Sequence, residues 1–180
     1  MAKKIAPQAM AMQWQLLRHM FDVGLWNFEV KAGQIAESGF KASFAEKRFH
    51  DSRSSMWSHR KKTPVPFHPI LNETGTLKNS ITFKAPSMNL VGQRATKKTV
   101  KVYTDPKKFG TAARHPGFCY AAVHNSPSSK GFRWGRAAGI AQRQFMGNSS
   151  IIEQQIRDMA KPTIFRGFPG VHGVANIIIR

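Results

Sequence analysis

Apolar residues recur at alternating spacings of four and three between about Gln13 and about Phe49. This spacing places them on one side of an α-helix, so the segment is predicted to form one long helix with a continuous apolar seam. The seam comprises Phe21, Leu25, Phe28, Ala32, Ile35, Gly39, Ala42 and Phe49. A glycine weakens a helix by about 1 kcal/mol relative to alanine, so Gly24 is the expected break. Gly39, on the seam, would let another backbone come close.

The same helix carries a second apolar stripe on a different side. Its members are Trp26, Val30, Phe40 and Phe44. A helix packed on a single sheet needs only one apolar face. Two faces therefore indicate either that the chain wraps the helix on both sides or that a neighbouring copy covers one of them. On the second interpretation the candidate interface residues in this part of the chain are Phe21, Leu25, Phe28, Ile35 and Phe49.

Short alternating runs further along the chain predict a small antiparallel sheet. Ile81–Ala85 and Thr99–Thr104 alternate apolar and polar residues, which is typical of paired strands with one buried face. Phe118–Val123 is predicted to be a third strand. The first strand follows a short helical turn that is expected to start at Gly75 and to be capped by Thr74.

The last part of the chain predicts a helix followed by an arm. Asn148–Ser150 is expected to cap a helix over Ile151–Ala160, and Pro162 is expected to end it. The segment after this helix is rich in Gly and Pro, and it closes with three isoleucines, Ile177, Ile178 and Ile179. Such a run favours burial as an added strand on a sheet edge, either the chain's own edge or a neighbour's. These three residues are therefore further interface candidates.

Together these elements predict an α+β fold. A small, mostly antiparallel sheet is packed by the long N-terminal helix and by a second helix near residues 150–160, with an extended C-terminal arm. The 180 residues suit one domain with an arm. The expected divisions are a flexible basic N-terminus at 1–13, the α+β domain at 14–161 and the arm at 162–180.

Three strings in the sequence resemble, in order and spacing, the signature of the phage virion morphogenesis, or tail-completion, family. They read L-x-x-T-G-x-L-x-x-S-I, Y-A-x-x-H-N and R-x-F-x-G. The residues that carry the resemblance are Leu71, Thr74, Gly75, Leu77, Ser80, Ile81, Tyr120, Ala121, His124, Arg143, Phe145 and Gly147. The chain departs from the family pattern at Ala141 and Gln142, where Pro-Ala is usual, and at Ser126, where a Gly often follows the second string.

The resemblance implies a structural virion protein of a tailed bacteriophage. Such a protein is a neck or tail-completion subunit, similar to a tail terminator, that forms a ring of copies of itself, most often a hexamer. The ring joins the head connector or adaptor to the tail tube, so the expected location is the neck or tail of the virion after assembly in the host cytoplasm. Within the third string, Arg143 is expected to bond to backbone carbonyls or to a neighbour's carboxylate, and Phe145 to pack in the core.

The net charge of +19, from 28 Lys and Arg against 9 Asp and Glu, is compatible with a polyanionic partner. Basic loops that also carry aromatic rings could contact the DNA backbone without reading sequence, or could face an acidic protein ring. The candidate contacts are Arg60, Lys61, Lys62, Lys107, Lys108, Lys130, Arg133, Trp134 and Arg136. The alternative function is therefore a basic protein that binds nucleic acid non-specifically. No membrane partner is expected, because no apolar run approaches the ~20 residues of a span.

Few residue patterns favour catalysis. The seven histidines show no metal-ligand spacing, and no glycine-rich phosphate loop is present. His124, beside Asn125, could serve as the general base of a small hydrolase, but no nucleophile or orienting carboxylate accompanies it. The favoured interpretation is a histidine that caps a strand end. Cys119, the single cysteine, cannot form an intrachain disulfide, in keeping with a reducing cytoplasm. We expect no enzymatic activity, cofactor or metal.

Overall fold

The computed structural model describes residues 7–58, 75–85, 99–108, 120–125 and 141–168. The elements, in chain order, are α1 (Pro7–Glu46), α2 (Thr76–Ser80), β1 (Ile81–Lys84), β2 (Lys101–Thr104), α3 (Tyr120–Asn125) and α4 (Ser150–Ile164). The two strands pair in an antiparallel two-stranded sheet. The predicted α+β class, with a long first helix, a second helix and a small sheet, is confirmed. The C-terminal isoleucines lie outside the described residues.

The chain forms two compact units. The first comprises Met1–Gly33, Lys84–Lys101 and Gln155–Arg180, and the second comprises Gln34–Phe83 and Val102–Gln154. Helix α1 contributes its first part to one unit and its second part to the other. The three strings of the sequence that resemble the tail-completion signature all belong to the second unit, in so far as they are described.

Helix α1 begins at Pro7, about six residues before the apolar seam predicts. Proline suits the first position of a helix, because an N–H at that position would have no acceptor within the helix and because the φ of proline is already helical. The residues that follow are mostly Ala, Met, Gln and Leu, all good helix formers. Local propensity therefore favours a helix that starts before the predicted seam.

Gly24 does not break α1, which is a correction to the expectation from its low helix propensity. A Cβ at Gly24 would lie only 2.0 Å from the backbone oxygen of Ile164 in α4. The missing side chain is what lets the end of α4 approach α1 within the first unit. Close packing of two helix backbones thus outweighs the weak local cost of a glycine.

Helix α1 ends through backbone geometry at Lys47, which has a φ of 55°. The amide of Arg48 donates to the carbonyl of Ser43 at 3.3 Å, closing the wide turn typical of a left-handed helix end. The amide of Trp57 then donates to the carbonyl of Lys47 at 2.7 Å. The chain therefore folds back directly after the helix and returns Trp57 to the core.

The first string folds as a short helix leading into β1. Gly75, at a φ of 70°, precedes α2 without a side-chain cap of its own, and the expected capping residue Thr74 lies outside the described residues. Leu77 and Ile81 are both buried, as their spacing predicts. The amide of Asp105 after β2 donates to the carbonyl of Ser80 at 2.7 Å, which joins the two ends of the strand pair.

The third strand expected over Phe118–Val123 is wrong where the structure describes it, because Tyr120–Asn125 forms helix α3. Short apolar runs do not distinguish a strand from a buried helix by periodicity. The decisive features are the two alanines, which favour helix, and the three-residue interval between buried Ala121 and buried His124. That interval places both side chains on one helical face.

Helix α4 is longer than predicted and contains Pro162 instead of ending before it. The chain still buries Thr163 one residue later, and the amide of Phe165 donates to the carbonyl of Lys161 at 3.1 Å. Tertiary packing of the last turn therefore overrides the local preference of proline to end a helix. The N-terminus agrees with the prediction, since Ser149 Oγ accepts a hydrogen bond from the amide of Ile152 at 3.2 Å.

Candidate functional site

The second and third strings lie side by side and share hydrogen bonds. Asn125 Oδ1 accepts from the amides of Phe145 and Met146 at 2.9 and 2.8 Å. The amide of Arg143 donates to the carbonyl of His124 at 2.8 Å. One side-chain oxygen and one carbonyl at the end of α3 thus fix the backbone of the third string. Two strings separated in sequence form a single structural element.

Phe145 anchors this element in the core, as predicted, with an exposed fraction of 1%. Its ring centre is 5.4 Å from that of Phe44, which meets Trp57 edge-on at 5.8 Å. Trp57 Nε1 donates to the carbonyl of Gln144 at 2.9 Å. The aromatic cluster therefore ties α1, the segment after it and the third string together, with Trp57 buried in the core.

Arg143 is buried, and its Nη2 donates to the backbone carbonyl of Ser58 at 3.3 Å. Of the two predicted alternatives, a backbone carbonyl or a neighbour's carboxylate, the structure contains the first. A buried guanidinium with a carbonyl partner serves as a brace between chain segments. Gly147 has a φ of 156°, and a Cβ there would lie 2.4 Å from Gln144 Nε2, so a side chain at this position would require the Gln144 side chain to move.

His124 is buried on α3 instead of capping a strand end. Its backbone carbonyl holds Arg143, so the residue has a structural role through its main chain. Within the described part of the chain, no group of three or more His, Cys, Asp and Glu side chains could hold a metal ion.

Ser43 is a link between distant segments that no sequence pattern predicts. It is fully buried in α1, donates from Oγ to the carbonyl of Phe145 at 3.4 Å and accepts from the amide of His50 at 3.0 Å. A serine in a helix interior that bonds to a distant carbonyl carries no pattern in the sequence. Only the folded chain brings residues 43 and 145 together.

Asp51 is a second link that sequence reasoning missed. Its Oδ1 accepts from both the amide and the hydroxyl of Ser150, at 2.7 and 2.8 Å, at the start of α4. The hydroxyl and the amide of Ser150, followed by the amide of Arg53, hold the pKa of Asp51 below its ordinary value. The carboxylate is thus a charged cap for α4 supplied from a different part of the chain.

A second carboxylate near the end of α1 interacts with a histidine and an arginine. Glu46 contacts His50 Nδ1 at 2.5 Å and Arg48 Nε at 3.1 Å. Desolvation raises the pKa of Glu46, but the hydrogen bonds from His50 and Arg48 outweigh it and leave that pKa lowered. This cluster stabilises the turn after α1.

An open groove of about 550 Å³ lies beside this core. Phe49, Met56 and Trp57 supply apolar walls, and the remaining lining is polar. The polar members are Asp51, Arg53, Ser54, Ser55, Ser58, Gln142, Gln144 and Asn148. The groove has the character of a shallow protein surface, with no grouping of acid, base and nucleophile aimed at one point.

The candidate interface residues of α1 differ in their accessibility. Phe21 is exposed, whereas Leu25, Phe28 and Ile35 are half-buried. Phe49 is buried in the chain's own core, where its ring stacks on Phe40 at 6.5 Å. Phe21 is therefore the most accessible of this set in the single chain.

The candidate polyanion contacts are described only at Lys107 and Lys108, both exposed. Lys108 Nζ donates to the carbonyl of Asn79 at 2.9 Å, so part of its hydrogen-bonding capacity is already used. The remaining candidate contacts lie outside the described residues: Arg60, Lys61, Lys62, Lys130, Arg133, Trp134 and Arg136. Leu71 and Thr74 of the first string also lie outside them.

No protein-family model, curated protein or solved structure matches this chain. Among the described residues, no helix is long and apolar enough to cross a membrane. The resemblance to the tail-completion family therefore rests on the three strings themselves.

Proposed function

We propose that the chain is a structural virion protein of a tailed bacteriophage, a neck or tail-completion subunit that forms a ring between the head connector and the tail tube. The observation that carries the proposal is the order and spacing of the three strings. The described side chains of these strings stabilise the fold, which supports a structural role for the strings. Leu77, Ile81 and Phe145 fill the core, and Arg143 braces backbone.

The proposal assigns no enzymatic activity and no cofactor to the chain. Its partners are copies of itself, most simply six, together with connector or adaptor and tail-tube proteins. Apolar burial along α1 drives the assembly, and charged loops select the neighbours. A closed ring covers surfaces that a single subunit leaves open.

Labelling of virus particles tests this function. The chain is expressed with a short peptide tag during phage growth, and particles are purified from the lysate and treated with gold-conjugated antibody. We expect gold at the junction of head and tail in electron micrographs, and none on particles from an untagged control. Purified particles without the tagged chain, or with label spread over the head, would contradict the proposal.

The net charge of +19 favours a second candidate function, non-specific binding to the DNA backbone. Exposed Lys107 is one contact that the structure offers. Neutralising one phosphate contact reduces the salt dependence of binding by about one unit of slope. Titration of duplex DNA at several salt concentrations, with the wild type and with Lys107→Gln, measures this slope. Binding that is weak and independent of salt would exclude this candidate.

A further inference from the structure

The first part of α1 presents large apolar side chains to solvent. All of residues 7–16 are exposed. Met10, Met12, Trp14 and Leu16 have exposed fractions of 48, 71, 67 and 59%. A helix in a globular protein normally covers its apolar residues against another element. Exposed apolar surface of this kind marks a site of interaction.

These side chains form two stripes. The front stripe comprises Met10, Trp14, Leu17 and Phe21, at spacings of four, three and four. The rear stripe comprises Met12, Leu16 and Val23. Leu17 and Val23 are half-buried, whereas the other members of the two stripes are exposed. At 3.6 residues per turn, the mean directions of the two stripes differ by about 150°. The segment therefore has apolar surfaces on nearly opposite sides.

The front stripe is extended by aromatic residues at the end of α4. The ring of Phe21 lies 6.0 Å from that of Phe165, which meets Phe168 edge-on at 5.6 Å. Met20 also contacts this region, because its Cε would lie 3.4 Å from a Cβ at Gly167. These contacts pack the C-terminal part of the segment within the first unit, whereas residues 7–16 before it are exposed.

Charge indicates which partner fits this segment. Between Pro7 and Phe21, Arg18 is the sole Lys, Arg, Asp or Glu, in a chain with a net charge of +19. A polyanion or an anionic membrane would find few cations here. A second copy of the chain, repelled at its basic surfaces, meets little repulsion at this one. A helix that lies on a membrane also needs one broad apolar face opposite a polar one, which two opposed stripes do not provide.

We propose that the two stripes are the two halves of a head-to-tail contact between copies of this chain, with the front stripe of one copy packed on the rear stripe of the next. A ring requires two different complementary patches on each subunit, whereas a two-fold dimer requires one patch that matches itself. The inference rests on the ring proposed above and names the segment that joins its neighbours. A 15-residue helix is about 22 Å long, so it supplies part of each interface.

Two variants of the full chain test the contribution of each stripe separately. The front variant carries Met10→Gln and Trp14→Gln, and the rear variant carries Met12→Gln and Leu16→Gln. All four positions are exposed, and glutamine is a good helix former. A matched control changes the exposed, polar positions Gln13→Ala and Gln15→Ala. Far-ultraviolet circular dichroism checks that helicity is retained, and sedimentation velocity measures the assembly state.

We expect each stripe variant alone to need at least about tenfold more protein for assembly than the wild type, while the control assembles normally. Mixed in equal amounts, the two variants should form a dimer of one front and one rear variant and nothing larger. In that dimer the intact front stripe of one subunit meets the intact rear stripe of the other. Formation of this mixed dimer also shows that each variant is folded.

Three outcomes would overturn the inference. If only one of the two variants loses assembly, the other stripe has no part in the contact and the front stripe does not pack on the rear stripe. If both variants form rings at wild-type concentrations, another surface joins the subunits, and the proposed ring function stands without this segment. If the wild type itself remains a monomer at every concentration, the inference and the proposed ring fail together.

Discussion

At the scale of single residues, Asn125 is the link on which the candidate site depends. Its Oδ1 accepts from two consecutive amides, those of Phe145 and Met146. Removing the acceptor of a partly buried amide lowers the free energy of unfolding by about 1–3 kcal/mol. One short side chain therefore holds the third string against α3. Its position beside His124 in the second string is the feature of the sequence that could have identified it.

We therefore expect Asn125→Ala to lower the free energy of unfolding by about 2–3 kcal/mol. Gln142→Ala is the matched control. Gln142 donates to the carbonyl of Asn125 at 3.1 Å from an exposed position, and its loss should change stability by less than about 0.5 kcal/mol. Urea unfolding followed by tryptophan fluorescence measures both. Equal small effects of the two substitutions would contradict the structural role of Asn125.

Asp51 predicts a pH dependence of stability. Hydrogen bonds from Ser150 and then from Arg53 lower the pKa of Asp51 in the folded chain. A carboxyl with a lowered folded pKa contributes stability above its unfolded pKa, about 4, and loses that contribution as the pH falls through the folded value. The stability difference between wild type and Asp51→Ala should therefore be largest near neutral pH and should shrink below about pH 4. Chemical unfolding at pH 7, 5 and 3 measures it, and a difference that grows on acidification would contradict this role.

At the scale of elements, two glycines in α1 are expected to respond differently to a methyl group. At Gly24 the added Cβ would meet the backbone of Ile164 at 2.0 Å. At Gly39 it would meet Cδ1 and Cγ1 of the Ile152 side chain at 2.6 and 2.7 Å, so only a side chain would have to shift. The backbone of Ile164 can shift only if the end of α4 moves, whereas the Ile152 side chain can shift without moving its helix.

Gly24→Ala should destabilise the chain by about 1–3 kcal/mol, although alanine favours a helix. Gly39→Ala is the comparison in the same helix and should cost less, because its gain in helix propensity of about 1 kcal/mol offsets the crowding. Thermal unfolding followed by circular dichroism ranks the two. A Gly24→Ala variant more stable than Gly39→Ala would show that α4 does not pack against Gly24 as described.

Pro162 lies inside α4 at an exposed position. A proline in a helix interior removes one hydrogen bond and costs about 3 kcal/mol, partly offset by the reduced freedom of the unfolded chain, about 0.4–1 kcal/mol. Pro162→Ala should therefore stabilise the chain by roughly 2–2.5 kcal/mol, whereas Lys161→Ala, at the neighbouring exposed position, should change little. A lower melting temperature for Pro162→Ala would indicate that the last turn of α4 depends on the proline.

The elements also show how far the sequence predicts this fold. Strong periodicity located most of α1, and alternation located β1 and β2, because those patterns reflect burial on one face. The strand expected at Tyr120–Asn125 was wrong, since a short apolar run is compatible with either structure. The links through Ser43 and Asp51 join residues about 100 positions apart. No local pattern reports such a contact.

At the scale of the whole molecule, the proposed ring would complete a subunit whose first unit exposes apolar surface. Its second unit is held by an aromatic core and by hydrogen bonds between distant strings. Its first unit carries an apolar helix segment with almost no charge, in a chain of net charge +19. The second apolar face of α1 predicted a second packing partner, but the predicted interface residues began at Phe21. Residues 1–13 were left out of that interface because they were expected to be flexible.

The most direct measurement is native mass spectrometry of the purified full chain, free of DNA, over a range of protein concentrations and at an ionic strength high enough to screen the net charge of +19. We expect one discrete closed species with a mass of several chains, most simply six times 20.2 kDa, that forms cooperatively as concentration rises. A species of 20.2 kDa at every concentration, with no larger assembly, would contradict it.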